Sequence, residues 1–256
     1  MKVLFKFVLL SAILISFTGC QKSNEVAIYQ LSNQSYSQMM SYIIEDEGTT
    51  IVVDGGTAED EDNLIKTIKK VSKDRKVEAW FSTHYHKDHT GALAKYLQSG
   101  SNEIQIDKVY STFPEESWVE KNETHRYEDV VAIDQGLKTF DNKVVVSFNQ
   151  KITVGEDQID VLRTYNPEIT ENAGNNSSSV YKMNVQGTKI LFLGDLGVEG
   201  GEELLSLNKE AIKNMDYVQM AHHGQAGVNE DVYQVIDPKY CLWPTTDWLG
   251  QSLQNR

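Results

Sequence analysis

The sequence predicts an α/β protein in which short strands alternate with amphipathic helices. Apolar residues recur at helical spacing over residues 59–72, 91–98, 114–130 and 200–213. Between these segments, runs rich in β-branched and aromatic residues are bounded by turn residues, which is typical of strands. The predicted strands cover residues 26–30, 40–45, 50–53, 77–82, 107–111, 143–148, 158–164, 179–186, 189–194, 216–221 and 239–242.

Two local features indicate how these elements connect. Gln186 and Gly187 stand between two apolar runs, which predicts a β-hairpin. The strand at 77–82 leads almost directly into the helix at 91–98. The residues between them therefore lie at the carboxyl end of a strand, where α/β proteins usually build their sites.

The amino terminus is predicted to be a targeting segment, separate from the folded domain. Lys2 and Lys6 precede an almost wholly apolar run at 7–17, which is short for a membrane-spanning helix. A basic start followed by such a run is typical of a secretory signal. The sequence Thr18-Gly19-Cys20 follows it.

Gly-Cys at the end of this segment resembles the processing site of bacterial lipoproteins, although Phe17 stands where leucine is more usual. The resemblance implies a signal peptide over residues 1–19, lipid attachment to Cys20 and a polar tether over residues 20–25. The protein would then be anchored by its lipid to the outer face of a bacterial membrane. The alternative is an ordinary signal peptide in which the cysteine is incidental.

The remaining residues, 26–256, are enough for one large domain with a sizeable core. Without Lys2 and Lys6, 22 basic residues face 37 acidic ones, so the formal charge is −15 compared with −13 for the whole chain. Tight nonspecific binding to nucleic acid is not expected, because it requires neutralisation of phosphates by Lys and Arg. Cys241 would be the only cysteine of the domain, so no internal disulfide can form, and its apolar surroundings predict a core position.

Potential metal ligands are concentrated between the strand at 77–82 and the following helix. Three of the six histidines of the chain lie there, together with Asp88. In an extended segment His84 and His86 point the same way, so they can bind one metal ion. Asp88 and His89 lie past the turn and suit a second ion, which predicts a dinuclear site. The alternative is a polar, solvated loop.

The order of four motifs resembles the metallo-β-lactamase fold superfamily, over roughly residues 26–245. His84-x-His86-x-Asp88-His89 is the most specific of these motifs. Asp54-Gly55-Gly56 precedes it, and Gly194-Asp195 and His222-His223-Gly224 follow it in the family's order. The resemblance implies a four-layer αββα sandwich, in which two mixed β-sheets pack face to face and helices cover both outer sides.

The resemblance also implies roles for the later residues. Asp195, after an apolar strand, would bridge the two metal ions. His223 would be the last ligand, because family members often place a glycine directly after it. Adjacent residues at a strand end face opposite ways, so His222 would face the substrate or support the ligands from behind, although the two histidines could be exchanged. Asp88 and His222 are the predicted catalytic residues, with His222 or a metal-bound water as the proton donor.

The chain departs from the family where many members carry a further metal-binding histidine. The only histidine of that interval is His125, in a charged run that predicts a solvated helix face or loop. Asn and Ser residues precede the strand at 179–186 instead, as in ComEC-type competence proteins and phosphorylcholine esterases. Asn176 and Ser178 are therefore predicted to contact a substrate phosphate, with an ordinary polar turn as the alternative.

Together these features predict a hydrolase that uses two divalent metal ions, which lower the pKa of a bound water and generate a hydroxide nucleophile. We expect Zn²⁺, with Mn²⁺ and Fe as alternatives. The expected substrate is a small-molecule or cell-surface phosphoester or phosphodiester. Two other functions stay open: hydrolysis of a lactone or β-lactam, and a non-catalytic binding lipoprotein.

Overall fold

The computed structural model describes residues 26–254, so the predicted signal peptide, Cys20 and the tether lie outside the described residues. Two six-stranded sheets form the centre of the domain. The first sheet contains, in spatial order, β1 (Ala27–Gln30), β2 (Tyr42–Asp46), β3 (Thr49–Val53), β5 (Ala79–Phe81), β7 (Val109–Ser111) and β8 (Lys143–Val145). The second contains β14 (Tyr240–Leu242), β13 (Tyr217–Gln219), β12 (Thr188–Phe192), β11 (Val180–Val185), β10 (Asp157–Arg163) and β9 (Lys151–Val154).

Residues 26–254 also form seven α-helices and a small parallel pair of strands, β4 (Lys76–Val77) with β6 (Gln105–Ile106). Both large sheets are mixed. In the first, β1, β2 and β3 are antiparallel, whereas β3, β5, β7 and β8 run parallel. The helices are α1 (Glu61–Val71), α2 (Lys87–Ser99), α3 (Glu116–Asn122), α4 (Tyr127–Lys138), α5 (Val198–Asn208), α6 (Glu230–Ile236) and α7 (Asp247–Gln254).

Three apolar clusters show that the layers stack as an αββα sandwich. One joins the outer face of the first sheet to α1, α2 and α4, and includes Trp80. The second lies between the sheets and brings Phe81 of the first against Tyr181 of the second. The third joins the outer face of the second sheet to α5 and α6, and includes Leu204. Side chains alternate along a strand, so neighbours such as Trp80 and Phe81 serve different layers.

Several predicted elements have different limits in the structure. The helix predicted at 91–98 begins at Lys87, and the one at 114–130 is two helices, α3 and α4, because Glu123 has the non-helical backbone angles φ −151° and ψ 57°. The strand β9 was not predicted. The hairpin at Gln186-Gly187 is present, and both residues have positive φ, 48° and 86°. Among the described residues, no helix is long and apolar enough to cross a membrane.

The predicted core position of Cys241 is wrong. Its side chain is exposed, and its strand, β14, is the edge strand of the second sheet. An apolar strand pattern does not distinguish an edge strand from a central one, because the difference depends on neighbours distant in sequence.

A buried pair of carboxyl groups predicts a pH-dependent stability. Asp46 at the end of β2 and Asp157 at the start of β10 are both buried. Burial, followed by the adjacent charge of Asp46, raises the pKa of Asp157 from 3.8 to about 7. The folded state then binds this proton more tightly than the unfolded state. The stability that the proton provides is therefore complete below pH 3.8 and is lost as the pH rises through 7.

We expect Asp157→Asn to remove this dependence, so that its melting temperature falls less between pH 5 and pH 8 than that of the wild type. Thermal melts at both pH values measure the difference. Glu156→Gln is the matched control, because it removes an exposed neighbouring carboxylate that contributes least to the raised pKa of Asp157, so the pH slope should change little. Equal pH slopes for wild type and Asp157→Asn would contradict the assignment.

Candidate metal centre

The four ligand candidates of the histidine-rich segment lie at the end of β5 and in the first turn of α2. His84 and His86 occupy the loop, whereas Asp88 and His89 are already helical because α2 begins at Lys87. All four side chains are buried, with exposures between 0% and 5%. A solvated loop, the alternative for this segment, does not fit such burial.

Asp195 and His223 from the second sheet meet these residues. One ligand atom from each of Asp88, His89, Asp195 and His223 lies within 4.8 Å of the others. His89 Nε2 is 3.2 Å from Asp195 Oδ1, and His223 Nε2 is 3.4 Å from Asp195 Oδ2. His223 Nε2 is also 3.4 Å from Asp88 Oδ2. The cluster therefore lies where inner strands of the two sheets end.

The donor atoms that converge here fit a metal ion, because they have no other partner. Five buried atoms form no hydrogen bond: Nε2 of His84, His89 and His223, and Oδ1 of Asp88 and Asp195. A buried polar atom without a partner costs about 1–3 kcal/mol. Imidazole nitrogens and carboxylate oxygens are the ligands that zinc and similar divalent ions bind.

The opposite nitrogens of two imidazoles are fixed by the protein. His89 Nδ1 lies 2.7 Å from Asp54 Oδ2, and His223 Nδ1 lies 2.7 Å from the carbonyl oxygen of Pro244. An acceptor at Nδ1 holds the proton there and leaves the Nε2 lone pair free for a cation. Asp54 also accepts hydrogen bonds from the backbone N–H and the hydroxyl of Thr83, so it holds the start of the ligand loop.

The charges at the site are those that a cation requires. Burial alone would raise the pKa of Asp195, but His89 and His223 lower it well below its usual range, so the carboxylate stays ionised. Burial lowers the pKa of His84 well below its usual range, and His89 and His86 lower it further, which keeps the imidazole neutral. Burial opposes protonation of His223 too, but Asp195 raises its pKa to about 9. Metal binding would displace that proton.

The turn that carries Asp195 requires glycine before it. Gly194 has φ +59°, and a Cβ there would lie 2.8 Å from Ser178 Oγ and 2.9 Å from Thr83 Cβ. The Asp195 backbone N–H donates to Ser178 Oγ at 3.0 Å. Gln219 accepts the N–H groups of residues 193 and 194. The Gly-Asp turn, which follows β12, is thus held by Ser178 before β11 and by Gln219 at the end of β13.

His222 and His223 face different surroundings, as predicted, but the cause is a tight turn and not the alternation of side chains along a strand. Both lie beyond β13 in a tight turn with left-handed backbone angles, φ 50° at His222 and 55° at His223. The structure brings His223 into the buried cluster, whereas His222 is half-buried and lines the cleft. His222 Nε2 lies 3.4 Å from the side-chain nitrogen of Asn175.

A second group of ligand atoms adjoins the first across Asp195. The rings of His84 and His86 are 4.5 Å apart, and His84 Nε2 is 4.0 Å from Asp195 Oδ2. His86 Nε2 faces Glu123 Oε2 at 3.0 Å. The sequence predicts no further histidine ligand in this part of the site. In the structure the carboxylate of Glu123 lies there instead.

The predicted contact of Asn176 and Ser178 with substrate does not fit the structure. Both are buried, and their side-chain atoms are already hydrogen-bonded. Asn176 Oδ1 accepts the N–H groups of Gly197 and Gly200 at the start of α5, and Ser178 supports Asp195. The side chains of Asn176 and Ser178 therefore stabilise the backbone next to the metal ligands, whereas the neighbouring Asn175 lines the cleft. A turn that contacts a substrate and a turn that only supports the fold can have the same polar sequence pattern.

The candidate metal ligands lie in a cleft that other polar residues also line. The cleft has a volume of about 420 Å³, and the metal-ligand candidates His86, Asp88 and Asp195 form part of its floor. His125 lies at its mouth with a side chain 75% exposed, and Nε2 is 3.9 Å from Glu123 Oε1, so it does not enter the cluster. Sequence reasoning missed Glu123 and Asn175. Asp54 was noted only as part of its glycine motif.

Comparisons with known proteins agree with this fold. The sequence profile of the Metallo-beta-lactamase superfamily matches residues 37–238. No curated protein matches the chain by sequence.

Among solved structures, the metallo-beta-lactamase fold protein YhfI from Bacillus subtilis is 16% identical, with a TM-score of 0.50 over 83% of this chain and 80% of its own. A diphosphatase of the PhnP family is 13% identical, over 80% of this chain and 71% of its own, with a TM-score of 0.47. MEM-A1, a subclass B3 metallo-beta-lactamase from a soil metagenome library, is 14% identical over 78% of each chain, with a TM-score of 0.47.

At 16% identity, the likeness to YhfI shows the fold alone and does not identify a substrate. The family profile, by contrast, spans most of the chain, and the site that it covers holds the converging imidazoles and carboxylates of a metal-dependent hydrolase. The chain belongs to the metallo-beta-lactamase superfamily.

Proposed function

We propose that this protein is a dinuclear metal-dependent hydrolase that acts on a phosphoester or phosphodiester. The observation that supports it most is the convergence of unpaired buried donor atoms from both sheets on Asp195. The donors divide into two groups. Asp88, His89 and His223 would hold one ion, and His84 and His86 the other.

Asp195 stands between the two groups and suits a bridging role. Its Oδ1 atom faces His89, and its Oδ2 atom faces His84 and His223. We propose Zn²⁺ as the ion, with Mn²⁺ and Fe as alternatives, because imidazole and carboxylate ligands accept all three. When bound, such ions supply an activated water at neutral pH and stabilise the negative charge that develops on the substrate.

The cleft residues would bind and protonate the substrate. The imidazole of His222 is half-buried at the cleft, where it can transfer a proton to the leaving group. Asn175 donates to Asn172 and carries a buried Oδ1 atom without a partner, so it can orient a polar group of the substrate. Asn175 thus takes the role that the sequence predicted for Asn176.

The lining of the cleft supports a small, polar, anionic substrate. Of the fourteen lining residues, all in the described part of the chain, Ala173 is the one apolar side chain. His125 and Arg126 bring hydrogen-bond donors to the mouth, but the carboxylates of Asp88, Glu123, Glu171 and Asp195 also line the cleft. An anionic substrate would therefore be held mainly by the metal ions. A substrate with a large apolar body would find little surface to bury here, whereas a phosphate group would find donors and metal ions.

Metal content tests the dinuclear assignment. We expect two ions per wild-type chain, one fewer in both His84→Ala and Asp88→Ala, and weaker binding of both ions in Asp195→Ala. Elemental analysis of the purified domain measures these ratios. His125→Ala is the control, because its imidazole is exposed and outside the cluster. A fully loaded wild type with one ion per chain would refute the assignment.

A substrate screen tests the reaction class. The metal-loaded domain is expected to hydrolyse bis-p-nitrophenyl phosphate or p-nitrophenyl phosphorylcholine, and to act much more slowly on nitrocefin and on a lactone. His222→Gln should reduce phosphoester turnover by about 10²- to 10⁴-fold, the usual contribution of a general acid, while metal content is unchanged. If nitrocefin or the lactone is the faster substrate by far, the enzyme is a lactam or lactone hydrolase instead.

We also propose that a lipid on Cys20 anchors the protein to the outer face of the bacterial cell membrane. The Gly19-Cys20 pair at the end of the apolar run supports this proposal. The predicted substrate would then be a small molecule or a cell-surface phosphoester outside the cytoplasm.

Metabolic labelling with a fatty acid tests the anchor. Cys20→Ser should abolish the label and leave the protein unprocessed or released, whereas Cys241→Ser, the other cysteine, should keep it. A wild-type protein that carries no lipid and is found free in the medium would show that the cysteine is incidental.

A further inference from the structure

Glu123 has an unusual position for a residue of a surface loop. It lies directly after α3, and its side chain is only 11% exposed. Its Oε2 atom is 3.0 Å from His86 Nε2 and also accepts a hydrogen bond from the hydroxyl of Tyr85. The carboxylate therefore lies at the nitrogen through which His86 would bind a metal ion.

The neighbouring loop leaves room for this carboxylate because residue 174 has no side chain. A Cβ on Gly174 would overlap Glu123 Oε2 and His86 Nε2, and would lie 2.7 Å from the hydroxyl of Tyr85. The backbone angles of Gly174, φ −65° and ψ −47°, are open to any residue. Glycine is thus required here for space and not for backbone conformation.

Without Glu123 the first ion would have only two ligands of its own, the imidazoles of His84 and His86. Asp195 would be shared with the other ion. His84 Nε2 is fully buried and forms no hydrogen bond, so this nitrogen too is free to bind the first ion. Three protein ligands with one open position is the usual arrangement of a catalytic zinc ion.

We propose that Glu123 is a metal ligand, which completes the first ion's site together with His84 and His86. This inference rests on the proposed dinuclear centre and specifies one of its two sites. Glu123 would be the third ligand that the other ion does not share, and it comes from the α3–α4 connection. The resulting mixture of imidazole and carboxylate ligands suits Mn²⁺ as well as Zn²⁺.

The structure also allows a simpler role, in which Glu123 only orients His86 by a hydrogen bond. The substitution Glu123→Gln separates the two roles. Glutamine keeps the shape of the side chain and an oxygen that can accept hydrogen bonds from Tyr85 and His86, but it removes the negative charge and the strong metal ligand. Glu120→Gln is the matched control, because it makes the same change at an exposed position of α3, the helix that precedes Glu123.

Titration with Zn²⁺ in competition with a chelator measures the two binding constants. For Glu123→Gln we expect loss of more than about 100-fold at one site, since a residue that only supports a ligand changes affinity by about 10- to 100-fold. The other site should keep its affinity, which also shows that the variant is folded. Gly174→Ala should weaken the same site, because its methyl group displaces the carboxylate.

The visible absorption of bound Co²⁺ provides a readout of the ligands themselves. The spectrum of the affected site should change in Glu123→Gln and stay unchanged in Glu120→Gln. If wild type and Glu123→Gln bind two ions with equal affinities and equal spectra, Glu123 is not a ligand, although the dinuclear centre stands. If the wild type binds only one ion, the dinuclear proposal itself fails.

Discussion

The burial of the Asp195 carboxylate between imidazoles is the interaction on which the site depends. Asp195 follows β12 of the second sheet, whereas His84 follows β5 of the first sheet and His89 lies in α2, so the contact joins the two halves of the sandwich. A buried carboxylate is costly unless opposite charge and hydrogen bonds compensate for it. Here the imidazoles, or ions bound between them, provide that charge.

The supporting structure explains how this arrangement is held in place. Gln219 and Ser178 bind the backbone around Gly194-Asp195, while Asp54 fixes Thr83 and His89 from the other sheet. None of these supporting side chains needs to touch a substrate. They hold the imidazole Nε2 and carboxylate oxygen atoms in place before an ion binds, and such preorganisation is what a precise metal site requires.

The unpaired donor atoms also link folding to metal binding. Each costs stability when it has no partner, and an ion that binds only the folded state adds stability in proportion to the logarithm of its concentration. At about 100 times its dissociation constant, one ion contributes about 2.7 kcal/mol. The same residues that limit the stability of the metal-free domain therefore stabilise the loaded one.

The sequence predicted what is encoded locally and missed what depends on distant contacts. His84, His86, Asp88 and His89 lie in one short segment, so their spacing alone identified the ligand cluster. Glu123 could not be found in this way, because nothing near it in sequence shows that α3 ends opposite His86.

Two wrong predictions have the same cause. Asn176 was assigned to the substrate because its segment resembles that of ComEC-type proteins, but its side chain binds the start of α5, more than twenty residues further on. Cys241 was assigned to the core because its strand is apolar, but that strand lies at the sheet edge. The order of the four motifs, by contrast, was enough to predict the αββα sandwich.

Anomalous X-ray diffraction from metal-loaded crystals is the most direct test of the central claim. Data on both sides of the zinc absorption edge should show two peaks about 3.5–4 Å apart, one on each side of Asp195. A single peak, or peaks remote from Asp195, would contradict the account, because the converging donor atoms would then have another purpose.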